Sequence, residues 1–319
     1  MNRLCIFAHW DRDNIIDDYV VYYLNALKDV CNQIIFVSDC DLEQNEIDKI
    51  NNIVDYCIAE KHGEYDFGSY KRGYFFALDK ELIFDELILV NDSVYGPFYP
   101  LKPIFEKMQK QRCDFWGMTA NRYGIADVDT LLCIKLVVQS HIQSYFLVFR
   151  KTVLNSNIFY DFMKSIKKEN SKNEIIKKYE IGLSQILYKS NFKSATYIKK
   201  YKFVNNSTIF KWDKLIKNDK YPFIKTSLVK NGSEFFGELK GWDKLIREKS
   251  DYPIEMIEKN SQRLLNLYKN RYQKLNIYRK IRFHILKNAF PEVKLIVILI
   301  EKVLYKVLNT ICFNKLKKF

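Results

Sequence analysis

Short apolar runs alternate with segments of helical spacing near the start of the chain, and this alternation restricts the possible folds more than any other feature. Residues 4–8, 33–38 and 54–59 are short apolar runs of the kind that form buried strands. Residues 15–30 and 43–52 carry apolar side chains at helical spacing. This order of elements is typical of a parallel sheet with helices on both faces, so the sequence predicts an α/β fold.

Polar segments follow the predicted strands and indicate where a ligand would bind. They lie at 9–14, 39–41, 62–73 and 91–97, the last after a buried strand predicted at 86–90. Right-handed crossovers place the carboxyl ends of parallel strands, and the loops after them, along one edge of the sheet. We therefore expect these segments to share one ligand-binding rim.

Later elements follow from the same reasoning. The spacing predicts a helix or loop at 127–135, a strand at 144–149, helices at 157–166 and 173–189, and a strand near 195–198.

Charge is divided unevenly along the 319 residues. Residues 1–150 carry 15 Lys+Arg and 23 Asp+Glu, whereas the remainder carries 37 and 15. The pattern becomes helical and basic from about residue 232, so we expect a domain over 1–232 and a basic helical region over 233–319. Such a region favours polyanions, among them lipid headgroups and diphosphate-linked carriers. No nucleic-acid-binding motif accompanies the charge, which disfavours nucleic acid as a partner.

Cysteine usage and hydropathy favour a cytoplasmic protein. The seven cysteines are far apart and form no C-x-x-C pair, which disfavours zinc sites and disulfide frameworks. The first apolar run reaches Asp11 too soon for a secretory signal, and no stretch of about twenty apolar residues suggests a spanning helix.

The triplet Asn91-Asp92-Ser93 follows the predicted strand at 86–90. A carboxylate there stands on a rigid support at the ligand edge of the sheet. Mg²⁺ and Mn²⁺ take oxygen ligands, so Asp92, with Asn91 and Ser93, is a candidate metal site. An aspartate that only shapes a turn at the strand end is the open alternative.

The segment 62–73 precedes a helix predicted at about 70–80. It contains a carboxylate, a glycine and two cations, namely Asp66, Gly68, Lys71 and Arg72. Backbone N–H groups, a flexible glycine and positive charge are what a diphosphate requires. A solvated loop at a helix start is the alternative.

Several long blocks of the sequence resemble one family. They are AHWDRDNIIDDYVVYYL, HGEYDFGSYKRG, DELILVNDSVYGPFYPL, CDFWGMT, HIQSYFLVF, KNEIIKKYEIGLSQIL, WDKLI with YPFIK, and GWDKLIREKSDYPIEMI. Over roughly residues 4–265 the chain resembles the rhamnan synthesis F group of bacterial glycosyltransferases. The resemblance implies a GT-A-like Rossmann-type domain and a nucleotide-diphosphate sugar donor, usually dTDP-L-rhamnose. It also implies a growing surface polysaccharide or lipid-linked glycan as acceptor.

We therefore expect a glycosyltransferase, in particular a rhamnosyltransferase that acts by an inverting single displacement. GT-A enzymes hold Mg²⁺ or Mn²⁺ with a D-x-D triplet, and this chain departs from that pattern with N-D-S. The departure leaves open an inactive GT-A-like scaffold of a polysaccharide assembly complex.

The resemblance also suggests roles for individual residues. Those expected to line the nucleotide and diphosphate are His9, Asp11, Asp39, Asp66, Gly68, Lys71, Arg72 and Lys225. Asp92 would hold the metal or face the donor sugar. Glu180, late in the domain, is the candidate base that deprotonates the acceptor hydroxyl. His141, with Gln143, is the alternative on the acceptor side, and a solvated role for Glu180 stays open.

The end of the chain is strongly basic. Residues 263–319 hold fourteen Lys+Arg against Glu292 and Glu301. An apolar stripe at 294–308 with lysines at its edges predicts an interfacial helix. Each cation near an anionic leaflet contributes about 1 kcal/mol, so we expect peripheral attachment to the inner face of the cell membrane. A helix docked on the catalytic domain is the alternative.

Overall fold

The structure, a computed structural model, does not cover the whole chain. It describes residues 1–130, 133–200, 206–230 and 239–268, without the side chains of 122–139 and 265–268. The stripe predicted at 294–308 and most of the basic region therefore lie outside the described residues.

The strands form one large sheet and two small ones. Their bounds are β1 Arg3–His9, β2 Gln33–Ser38, β3 Tyr56–Ala59, β4 Glu86–Asn91, β5 Val94–Tyr95, β6 Phe115–Gly117, β7 Ala120–Thr130, β8 Cys133–Ile142, β9 Phe146–Arg150, β10 Ser194–Thr196 and β11 Ile224–Lys225. Seven strands make the large sheet in the order β10-β6-β9-β4-β1-β2-β3. β1 pairs in parallel with β2 and β4, and β9 alone runs antiparallel to its neighbours β4 and β6. The predicted α/β fold with a mostly parallel sheet is confirmed.

Helices connect these strands. Their bounds are α1 Asp18–Lys28, α2 Gln44–Asp48, α3 Tyr65–Asp79, α4 Lys102–Gln109, α5 Lys151–Leu154, α6 Asn157–Ser165, α7 Lys172–Ile175, α8 Gly182–Lys189, α9 Ser207–Phe210, α10 Trp212–Asp219, α11 Thr226–Lys230, α12 Trp242–Lys249 and α13 Glu255–Tyr268. A π-helical turn, Ile176–Ile181, joins α7 to α8, so the helix predicted at 173–189 is present with a wider turn inside it.

The large sheet has an apolar core on each face. Side chains of a strand alternate between faces, and in β1 Phe7 packs with Tyr23 of α1 on one face. Ile6 packs with Tyr70 and Tyr74 of α3 on the other. Because both faces of β1 are covered, its sequence is a continuous apolar run rather than an alternating one.

Helix α3 lies very close to the sheet. A Cβ atom on Gly73 would stand 2.5 Å from Cγ2 of Ile6, and one on Gly68 would stand 2.3 Å from Cβ of Glu64. Both glycines therefore serve close packing inside a helix that begins at Tyr65. The predicted start near residue 70, with a flexible loop up to Gly73, is wrong.

One other prediction differs from the structure. Residues 127–135, predicted as a helix or loop, fall largely within the antiparallel pair β7–β8, which runs from Ala120 opposite Ile142 to Thr130 opposite Cys133. Ile246 and Ile257, which lie beyond the predicted boundary at residue 232, belong to the same apolar cluster as Phe7. The division of the chain at that boundary stays a prediction.

No helix in the described parts of the chain combines the length and hydropathy needed to cross a membrane.

Candidate functional site

Hydrogen bonds join the strand-end segments along the carboxyl edge of β1 and β4. The N–H of Trp10, after β1, donates to Oδ2 of Asp92, after β4, at 2.8 Å. Nδ2 of Asn91 donates to Oδ2 of Asp66, in the first turn of α3, at 2.7 Å. The segments predicted to share one rim therefore do so.

Asp39, at the end of β2, holds the segment before α3 in place. Its Oδ1 accepts the N–H groups of His62 at 2.6 Å and of Gly63 at 2.8 Å. Its own N–H donates to the carbonyl oxygen of His9 at 2.9 Å. Asp39 thus shapes the rim, and its contact with a nucleotide stays a prediction.

Asp92 lies on the rim directly after β4, and the residue is half-buried. Burial, and then the neighbouring carboxylate of Asp66, raise its pKa to about 8, although the N–H of Trp10 opposes the shift. Burial also raises the pKa of Asp66, which Lys172 and Lys225 oppose and Glu180 reinforces. Two carboxylates thus face the same small volume with their negative charge disfavoured.

Lys225 reaches the rim from β11, as the sequence predicts for a ligand-binding cation. Its strand pairs with β5, and the N–H of Thr226 donates to the carbonyl oxygen of Ser93 at 3.0 Å. The Lys225 ammonium lies 3.5 Å from Oγ of Ser93 and 4.0 Å from the centre of the Tyr145 ring. Burial lowers the pKa of Lys225 to about 8, against the effects of Glu180 and Asp66.

Glu180 comes to the same place from the π-helical turn. Its Oε1 accepts the N–H of Ser144 at 3.3 Å and lies 3.8 Å from Nε2 of His141. Its charge acts on the pKa of both Asp66 and Lys225, so the carboxylate lies within electrostatic range of these two rim residues. Single π-helical turns inside helices are frequent at functional sites. The structure therefore brings the candidate base and its alternative to the rim together.

His9 supports the rim from below. The side chain is buried, its Nδ1 lies 2.8 Å from Oγ of Ser38, and its ring packs against Phe36. Burial lowers the pKa of His9 to about 4, so the ring is neutral near pH 7. The predicted contact of this side chain with a nucleotide has no support in this geometry.

Lys71 and Arg72 are engaged with other parts of the protein. The Lys71 ammonium donates to the carbonyl oxygen of Ile166 at 2.6 Å. Arg72 donates to Oε2 of Glu64 at 2.7 Å and to the carbonyl oxygen of Gly68 at 3.2 Å. These bonds anchor α3 and its first turn, and the geometry gives no support for the predicted contact with a diphosphate.

Asp11 belongs to a cluster that the sequence did not predict. Arg263 of α13 donates to Oδ2 of Asp11, Asp13 and Asp17 at 2.6 Å, and also to Oδ1 of Asp11 at 3.1 Å. Burial acts to raise the pKa of Asp11, but the hydrogen bonds from Arg263 and the Asp13 N–H outweigh it and lower the pKa. Arg263 lies in the region interpreted as a separate basic extension, and sequence spacing carries no signal for this pairing.

We expect Arg263→Met to lower the free energy of unfolding by about 3 kcal/mol, because it leaves three carboxylates without their cation. The matched control is Arg247→Met on α12, whose more exposed guanidinium pairs with Glu255. It should cost about 0.5 kcal/mol. Urea unfolding of both variants measures the difference, and equal losses would contradict the structural role of Arg263.

Of the three predicted metal ligands, only Asp92 is suited to hold a divalent cation. Oδ1 of Asn91 already accepts both the N–H of Ser93 at 3.1 Å and its hydroxyl at 2.6 Å. Asp92 keeps one carboxylate oxygen without a hydrogen-bond partner among the described residues. No group of three or more His, Cys, Asp or Glu side chains within the described ranges is arranged to hold a metal.

Similar proteins are known from solved structures and from sequence. A putative nucleotide-diphospho-sugar transferase from Desulfovibrio desulfuricans is 14% identical, with 78% of this chain and 99% of that chain covered and a TM-score of 0.36. TarS from S. aureus is 12% identical, with 90% and 81% covered and a TM-score of 0.38.

A curated relative, the uncharacterized protein y4gN of Sinorhizobium fredii, is 30% identical over 139 residues, which is 42% of this chain. The match spans about a third of that relative's length, 33%. The sequence profile of rhamnan synthesis protein F matches residues 34–314, which extends past the part of the chain on which the resemblance rested. The chain belongs to the rhamnan synthesis protein F family.

Proposed function

We propose that this chain is a glycosyltransferase that moves a sugar from a nucleotide-diphosphate donor to a growing surface polysaccharide or a lipid-linked glycan. Membership of the rhamnan synthesis family supports a glycosyltransferase. One observation of the structure carries the proposal: carboxylates and cations from separate segments meet at the carboxyl edge of one parallel sheet. Open sheets of this kind bind nucleotides at that edge.

The proposed reaction is a single displacement with inversion. Glu180 takes the proton of the acceptor hydroxyl, and the hydroxyl oxygen forms a new bond to the anomeric carbon. The bond from that carbon to the diphosphate oxygen breaks, and the nucleoside diphosphate leaves with the electron pair. Asp92 would hold the donor sugar through its hydroxyl groups, while His141 stands beside the base.

For the donor we propose dTDP-L-rhamnose, on the strength of the family description. Sugar choice depends on a few pocket contacts, so the donor is a matter for measurement. The experiment is calorimetric titration of the full chain with dTDP-L-rhamnose, UDP-glucose and GDP-mannose. It is followed by an assay of nucleoside diphosphate release with a lipid-linked rhamnan acceptor.

Two results would contradict this proposal. Binding of no sugar nucleotide would remove the donor site. Binding without release of nucleoside diphosphate in the presence of acceptor would favour the inactive scaffold that the N-D-S triplet leaves open.

We also propose that the protein works in the cytoplasm at the inner face of the cell membrane, held by its basic end. Residues 269–319 carry thirteen Lys+Arg and two Glu. We expect a chain ending at residue 268 to lose at least about tenfold in binding to phosphatidylglycerol liposomes, since each cation contributes about 1 kcal/mol. Co-sedimentation measures this, with neutral phosphatidylcholine liposomes as control. Equal sedimentation of both chains would place the attachment elsewhere.

A further inference from the structure

The rim contains two cations that lack an ion-pair partner among the described residues. They are Lys225 and Lys230, and both lie on the short segment 224–230, which comprises β11 and α11. The hydrogen bond of Lys225 to Oγ of Ser93 is long, at 3.5 Å. The segment itself is fastened beside the N-D-S triplet by its pairing with β5.

Aromatic rings lie beside the two ammonium groups. Lys225 lies 4.0 Å from the centre of the Tyr145 ring, and Lys230 lies 5.8 Å from the ring centres of Tyr19 and Tyr95. The face of an aromatic ring attracts a cation weakly, and the ring offers no hydrogen-bond acceptor to the N–H groups of the ammonium. Each ammonium therefore keeps donors available for a ligand.

Contacts with the N-D-S triplet and its neighbours place both lysines at the rim. The Lys225 ammonium lies 3.5 Å from Oγ of Ser93. Lys230 lies over the ring of Tyr19, whose hydroxyl donates to the carbonyl oxygen of Asp92 at 3.1 Å. Neither ammonium lies within ion-pair distance of a carboxylate among the described residues, so an anion bound between them would be stabilised.

Other cations near the rim are already bound. Lys71 donates to the carbonyl oxygen of Ile166, and Arg72 pairs with Glu64. Arg263 is held by three carboxylates. These three side chains are therefore poor candidates for binding a phosphate. Two of them, Lys71 and Arg72, are cations that the sequence predicts at the diphosphate.

We propose that Lys225 and Lys230 together bind the diphosphate of the donor, an assignment that rests on the proposed function and names its anion subsite. Two ammonium groups can each contact one phosphoryl group. When the bond to the anomeric carbon breaks, the leaving diphosphate gains negative charge, and fixed cations stabilise it at that moment. Lys71 and Arg72 have no part in this subsite.

The test compares nucleoside diphosphate with nucleoside in the full chain. We expect Lys225→Met and Lys230→Met each to weaken dTDP binding at least about tenfold, the usual effect of losing one charge-assisted hydrogen bond. Thymidine affinity should change less than about twofold, because thymidine has no phosphate. Lys164→Met, at an exposed position on α6, is the matched control and should bind dTDP like the unchanged protein. Isothermal titration calorimetry measures all of these.

Further measurements distinguish a variant that has lost its fold from one that has lost only its binding to the diphosphate. Near-UV circular dichroism establishes that each variant keeps its packing, and Lys225→Arg, which keeps the charge, should recover part of the affinity. If the unchanged protein binds dTDP, UDP or GDP and both methionine variants bind that nucleotide equally well, the subsite is wrong and the proposed function survives. If the unchanged protein binds none of them, the proposed function fails and the subsite fails with it.

Discussion

Replacing Glu180 with glutamine should lower turnover by about 10²–10⁴-fold while donor affinity stays within about twofold. Glutamine has the size of glutamate, and its Oε1 can still accept the N–H of Ser144, which is 3.3 Å away in the structure. What it lacks is a basic oxygen that can take a proton from the acceptor. The loss should therefore appear in the transfer step and leave the nucleotide site intact.

The matched control is Glu174→Gln, on the same helical segment, where the carboxylate caps the N–H of Asn170. It should keep normal turnover. Single-turnover release of nucleoside diphosphate, together with calorimetric donor binding, separates the two steps. Normal turnover in Glu180→Gln would rule out Glu180 as the base, and loss of turnover in His141→Asn would then move that role to His141.

Replacing Asp92 should also cause a large loss of transfer in a protein that stays folded. Asp92→Asn keeps an acceptor for the N–H of Trp10, so the link between β1 and β4 survives. It also removes a carboxylate whose pKa burial has raised to about 8, so stability should not fall. We expect a loss of transfer on the order of 100-fold, because the amide cannot ionise when the donor binds and so cannot make a charge-assisted contact with it.

Asp92→Ala removes the acceptor for Trp10 as well and should lose at least as much activity as Asp92→Asn. The control is Asp243→Asn, an exposed carboxylate on α12. Thermal melting measures folding, and nucleoside diphosphate release measures transfer. Full activity in a folded Asp92→Asn protein would remove Asp92 from the site.

The sheet and the position of its ligand edge could be predicted because each depends on a local pattern. Continuous apolar runs mark strands covered on both faces, and β2 runs from Gln33 to Ser38 as predicted. The hairpin β7–β8 could not be predicted, because a short apolar run such as residues 134–138 has no periodicity that separates strand from helix. The start of α3 was predicted wrongly because its glycines were interpreted as flexible loop residues. In the structure Gly68 and Gly73 are required by close contacts with Glu64 and Ile6.

The positions of the candidate residues could be predicted where chain order determines them and could not be predicted where tertiary contacts do. Asp92 follows a strand, so its place on the rim could be inferred from the sequence. The choice among lysines could not be inferred, because the surroundings of Lys71 and Lys230 in the fold are not readable from the residues next to them in the sequence. Only the structure shows that the first is bound to the carbonyl oxygen of Ile166 and that the second lies over the rings of Tyr19 and Tyr95.

The bond between Arg263 and Asp17 also has a consequence for biosynthesis, since 246 positions separate the two residues. A ribosome adding about 5–20 residues per second needs roughly 12 to 50 seconds to cover that distance. Throughout this time Asp11, Asp13 and Asp17 of the nascent polypeptide lack the guanidinium of Arg263 as their ion-pair partner. The loop that carries Asp11, Asp13 and Asp17 is therefore fixed late in translation, and a chain stalled before Arg263 would lack the contacts that hold this loop.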